Sequence, residues 1–155
     1  IAMLVSAEES CQSLVLLSPT LNLKNDFISF LGEHTMNKIS ACESHECVEL
    51  PWRSINIGRC FYDSFSRCDP KSAVQKHNGS LLCIAGARDF SANNVREIIK
   101  AAQCQAKEQC IIENADHVFM VDDESMLETV CKMVCEQFEA SLPNECCAQS
   151  PRLSI

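Results

Sequence analysis

Two short apolar runs constrain this chain more than anything else in it. LLCIA at 81–85 and CII at 110–112 lie within one segment of about thirty residues, the size of a βαβ unit, and each runs into a polar turn. The first turn, GARDF, carries Asp89; the second, NADHVF, carries His117. Apolar character in both runs is continuous rather than alternating, as expected of strands buried on both faces of a parallel sheet. Between them, residues 91–103 place Val95, Ile98, Ile99 and Ala102 at helical spacing, with Ser91 positioned as the N-cap. Strand, helix, strand at this spacing predicts a right-handed βαβ unit. Its two strands end on one edge of the sheet, so Asp89 and His117 are expected side by side where open α/β sheets place their sites.

The rest of the chain supports the same class. Residues 1–9 read as a helix and 14–17 as a second buried strand, ending at Ser18-Pro19. Residues 22–35 have helical rhythm through Leu23, Phe27, Phe30 and Leu31, and suit a surface helix or lid element. Residues 47–50 suit a short edge strand stopped by Pro51. Residues 56–68 read as a helix with Ile57, Cys60, Phe61, Ser64 and Phe65 on one face. Pro70 then opens a short helix at its first position. Beyond His117, Val121-Asp122-Asp123 leads into a helix over 124–140 whose expected buried stripe is Leu127, Val130, Cys131, Val134 and Phe138. Acidic residues fill its first turn, as the helix dipole favours. The expectation is an α/β domain over residues 1–141, mostly parallel sheet with helices on both faces, followed by a flexible tail at 142–155.

Composition limits the partners. A net charge of -8 and basic residues that never cluster argue against nucleic acid or an anionic membrane surface. No stretch approaches the roughly 18 apolar residues of a membrane span. Twelve cysteines show no repeated framework, and several fall inside expected core strands or helices, where they serve as small apolar fillers. A chain with a real core does not need stapling, so the compartment is read as reducing and cytoplasmic. The opening IAMLVSA has no basic leader and reads as the middle of a helix, so the chain is expected to be a piece of something longer.

A carboxylate beside an imidazole is two thirds of a hydrolytic triad. The acid holds the imidazole's tautomer and stabilises its cation, and the imidazole takes a proton from the nucleophile. Against this stand blander uses: Asp89 as a cap or turn residue, Arg88 as a surface ion pair, His117 as a satisfied polar residue. Asp89 preceding His117 matches the acid-then-base order of one hydrolase class.

Residues 14–19, 56–70, 81–90 and 114–138, in this order and spacing, resemble the C-terminal half of an α/β-hydrolase, beginning just after the nucleophile elbow. LLCIAGARDF looks like that family's acid strand, NADHVF like its histidine loop, and the helix after it like the last helix of the fold. The resemblance implies a triad acid at Asp89, a triad base at His117 and a cap or lid from part of 22–77. It implies hydrolysis of a carboxylic ester or related acyl bond through an acyl-enzyme, with no cofactor. One departure stands out. The family's serine sits in a G-x-S-x-G elbow, and the four glycines here (Gly32, Gly58, Gly79, Gly86) cannot write one. Residues 1–9 look like the helix that follows the elbow, which places the missing serine and its oxyanion donors upstream. This chain alone is therefore expected to be inactive.

Other readings are tested by the same residues. Ser18 lies on the right sheet edge to stand in as nucleophile, but no strand-to-helix elbow carries it. Neither G-x-G-x-x-G nor a P-loop can be written, which removes a nucleotide site. Cys42, His45 and Cys47 do not match zinc spacing, and the vicinal Cys146-Cys147 pair reads as exposed thiols in the tail, so no metal is assigned. The alternative function is a truncated or inactive descendant acting as a binding or regulatory module. The partners left open are a small acyl substrate in the parent, a second copy, or the missing N-terminal half, which an uncovered sheet edge would seek.

Overall fold

The computed structural model describes residues 1–50, 54–119 and 124–142. Helix α1 (Ala2–Glu8) leads into β1 (Ser13–Leu17), followed by helices α2 (Leu23–Leu31) and α3 (Glu33–Ala41). Strands β2 (Cys47–Leu50) and β3 (Ile55–Gly58) precede α4 (Arg59–Ser64), a 3-10 turn (Phe65–Arg67) and α5 (Pro70–Lys76). The expected strand–helix–strand unit is β4 (Ser80–Gly86), α6 (Ser91–Ala101) and β5 (Lys107–Ile112), and α7 (Glu124–Ser141) follows.

Three strands form the main sheet in the order β1-β4-β5. Both pairings are parallel, with Leu14 opposite Leu81 and Gly86 opposite Ile112. The central strand explains the unbroken apolar run: residues 81–85 are each 3% exposed or less. Leu81, Cys83 and Ala85 pack with Leu14, Leu16, Val74, Val95 and Ile98 under α1, α5 and α6. Leu82 and Ile84 pack on the other face with Ala115, Phe119 and Val130 beneath α7. Burying each Leu or Ile contributes roughly 1.5–3 kcal/mol, so β4 is the strand on which the rest is built. The structure is α/β, with helices on both faces of a mostly parallel sheet.

Several local expectations are corrected. The helix expected over 22–35 is two helices, broken at Gly32, whose φ of 84° lies in the left-handed region that glycine reaches without strain. The helix expected from residue 56 begins only at Arg59, because Ile55–Gly58 pairs antiparallel with Cys47–Leu50. A tertiary partner overrides helical rhythm there. Phe27, Phe61 and Phe65 still meet, with ring centroids 4.9–5.3 Å apart, and join α2 to α4.

Helix α7 turns only Val130 and Val134 of the expected stripe inward. Val130 is buried and Met126, Met133 and Val134 pack beside it, whereas Leu127, Cys131 and Phe138 face outward. Cys131 and Cys135 are therefore exposed and are not core fillers. The Val121-Asp122-Asp123 entry to this helix, the tail from 143 and the Cys146-Cys147 pair lie outside the described residues.

Cys83 and Cys104 are buried. Burial and then the neighbouring Cys104 push the Cys83 thiol up to about 12, so it stays protonated and unreactive. Alkylation mapped by mass spectrometry at mildly alkaline pH is expected to modify exposed Cys47, Cys60, Cys131 and Cys135 first. Cys83 should react only on unfolding; early modification of Cys83 would contradict its placement.

Candidate active site

The carboxyl ends of β4 and β5 are held together by main chain. Ala87 N–H donates to Ile112 O at 2.9 Å, and Arg88 N–H donates to Ala115 O at 3.0 Å. A Cβ on Gly86 would lie 2.3 Å from Ala115 O, so only glycine lets the strand end approach the turn that carries His117. That turn is itself braced: Arg88 donates to Asn114 Oδ1, and Val118 N–H donates to Asp116 Oδ1 at 3.0 Å. The effect is to bring Asp89 and His117 together as the sheet topology anticipates.

His117 Nδ1 lies 3.1 Å from Asp89 Oδ2. The acid side chain is 1% exposed and the imidazole 42%, so one partner is sealed and the other reaches solvent. The Ser91 hydroxyl makes a short hydrogen bond to the same carboxylate oxygen. This corrects the N-cap expectation. Phe90 is the cap residue of α6 and makes no side-chain cap bond, while Ser91 is the first helical residue and serves the acid. Burial raises the Asp89 pKa, but hydrogen bonds from Ser91, His117 and Ser18, with the His117 charge, outweigh it and leave the carboxyl below its ordinary value. Asp89 is thus held ionised against the imidazole.

Ser18 does not sit as a nucleophile would. Its hydroxyl donates to the main-chain oxygen of His117 at 3.0 Å, not to the imidazole ring. A nucleophile must reach the imidazole nitrogen that the acid leaves free.

Two aromatic residues flank the imidazole. Phe90 stacks on it at 5.5 Å and 19°, and Phe30 of α2 approaches at 5.8 Å. Phe30 also lies 6.3 Å from Phe90, so the segment between β1 and β4 reaches the site through α2. Neither contact was anticipated: Phe30 is remote in sequence, and only its placement on a lid-like helix hinted at it. Among the described residues no three His, Cys, Asp or Glu side chains converge as a metal site. Cys42 instead turns its thiol onto Lys38 O of α3.

No family model matches this sequence, and no curated protein does. Solved structures do. The chain is similar to Est1E from Butyrivibrio proteoclasticus, with TM-score 0.60 and 17% identity, covering 88% of this chain and 56% of that one. Similarity extends to a monoacylglycerol lipase from Paleococcus ferrophilus, with TM-score 0.63 and 10% identity over 90% of this chain and 64% of that one. The peroxisomal α/β-hydrolase Lpx1 from Saccharomyces cerevisiae gives TM-score 0.54 and 14% identity, over 99% and 54%. This chain therefore carries a partial α/β-hydrolase fold, spanning between 54% and 64% of these relatives' lengths. Among the described residues no helix is long and apolar enough to cross a membrane.

Proposed function

We propose that this chain is the C-terminal portion of a serine hydrolase acting on a carboxylic ester or related acyl bond. Asp89 would be the triad acid and His117 the general base, serving a serine carried upstream. The observation that carries this reading is the contact of His117 Nδ1 with a sealed, ionised carboxylate at adjacent parallel strand ends. With Nδ1 held by the acid, Nε2 is the nitrogen left to take the serine's proton and return it to the leaving group. Similarity to a monoacylglycerol lipase supports an acyl substrate.

The missing portion is also part of the proposal. β1 pairs only with β4 among the described strands. Leu17 at its end, and Leu127 and Phe138 on α7, are between 40% and 47% exposed. An open edge and an apolar stripe suit further sheet and helices from the N-terminal half. Part of residues 22–77 would form the cap, reaching the site through Phe30, with the rest as connecting region, and the tail from 142 would lie outside the domain. Burial of Cys83 and Cys104 as small fillers supports a reducing, cytoplasmic setting.

A fluorophosphonate that labels activated serines tests the reading. The 155-residue chain should not be labelled. A product extended upstream to an in-frame G-x-S-x-G should be, with labelling lost in His117→Ala. Labelling of the short chain would place the nucleophile within it. An upstream frame without an elbow would leave a non-catalytic binding module.

A further inference from the structure

We propose that Ser18 is a positioning residue that ties the end of β1 to the His117 turn, holding the acid–imidazole pair in register. The catalytic meaning of this rests on the hydrolase reading above; the structural coupling does not.

Ser18 has a φ of 45°, in the left-handed region that a non-glycine residue enters only at a cost. Only two other described non-glycine residues have positive φ, Asn114 at 63° and Phe119 at 59°, and they bracket His117. All of this strain is concentrated around one pair of side chains. Such conformations persist where the surroundings over-determine them, and around Ser18 they do. Its N–H donates to Ile84 O at 2.8 Å, continuing the β1–β4 ladder. On the far side, Pro19 O accepts from Asn94 Nδ2 at 3.1 Å. Buried Asp26 accepts from Leu21 N–H at 2.7 Å, from Asn22 N–H at 3.0 Å and from Asn94 Nδ2 at 3.0 Å. The turn is thereby clamped on both sides of Ser18.

The clamp aims the hydroxyl. It donates to His117 O at 3.0 Å, across 99 positions of sequence, and it contributes to keeping Asp89 ionised. Ser91 also serves Asp89, but from two residues away in sequence, so it orients the acid alone. Ser18 is distinct because its hydroxyl comes from the end of a third strand and holds the main chain of His117, so a shift of β1 would be felt at the base.

The test uses this chain and needs no nucleophile, so failure of the hydrolase reading leaves it readable. Ser18→Gly removes the hydroxyl while relieving the left-handed backbone; Ser18→Ala removes the hydroxyl and keeps the strain. Carbon-detected NMR would follow the Asp89 carboxyl titration and the His117 carbonyl resonance. Both variants should raise the Asp89 midpoint relative to wild type and move the His117 carbonyl upfield, as loss of an accepted hydrogen bond does. A wild-type Asp89 midpoint and carbonyl shift in the folded variants would overturn the proposal. Loss of tertiary signal dispersion in both variants would also overturn it, by making Ser18 a folding residue.

Discussion

In a product extended upstream to the proposed serine, Asp89→Asn is expected to lower kcat about 10⁴-fold, the scale seen when a triad acid becomes an amide. Asn offers His117 Nδ1 either a carbonyl or an N–H and no charge, so the imidazolium formed on proton transfer loses its stabilising partner. The substitution leaves volume and burial almost unchanged, which keeps the loss in the chemistry. KM should move little, since the sealed carboxylate, 1% exposed, has no route to substrate. His117→Ala should cost about 10⁶-fold, since a triad acts as a unit. An Asn variant with undiminished kcat would remove Asp89 from the reaction. The same substitution gives a pH signature in the chain as it stands. The folded Asp89 pKa is depressed, so its contribution to stability is fully present above the unfolded carboxyl's value of about 3.9. That contribution fades as pH falls through the lower folded value. Urea midpoints of wild type and Asp89→Asn should therefore differ most near neutrality and converge in acid.

Gly86→Ala is expected to destabilise the fold by roughly 1–3 kcal/mol, as overpacking in a close-packed region does. The new methyl would meet Ala115 O at 2.3 Å and Asp116 O at 2.5 Å. Those are main-chain atoms of the turn that carries His117, and they cannot swing away as a side-chain tip could. Either β4 loses the bonds from Ala87 to Ile112 and from Arg88 to Ala115, or the turn moves outward and takes the imidazole with it. A urea midpoint lowered at constant m-value would report the first cost. Displaced amide resonances at Ala115 and His117 would report the second. Misplacing a catalytic group by about 1 Å can cost about 10²-fold in rate, so the extended enzyme should lose turnover beyond what stability explains. A wild-type midpoint would mean that the turn yields freely and that glycine is not required there.

The exposed face of α7 shows why sequence pattern misleads at particular positions. Leu127, Val130, Cys131, Val134 and Phe138 recur at helical spacing and read as the buried stripe. The sheet takes Val130 and Val134 from it, adds Met126 and Met133, and leaves Leu127, Cys131 and Phe138 outward. Both stripes are apolar, so periodicity cannot say which of them faces β1 and β4 and which is left for another surface. The same limit governs residues 56–58, where Ile57 stands at helical spacing from Cys60 and Phe61, and pairing with Cys47–Leu50 decides for a strand.

What the sequence by itself determined was the unit at the centre. Its unbroken run at 81–85 could only be a strand covered on both faces, the segment after it could only be an amphipathic helix, and parallel topology then forced Asp89 and His117 onto one edge. These are local consequences of period and connection, legible without a partner. Only the tertiary structure decided what surrounds the pair. Ser18, Phe30 and Gly86 are 99, 87 and 31 positions from His117 in sequence (117 less 18, 30 and 86), and no local rule brings a hydroxyl, a ring or a missing Cβ to a chosen atom across such separations. Those contacts follow from strand order, from clamped turns and from close packing, which exist only once the chain has folded.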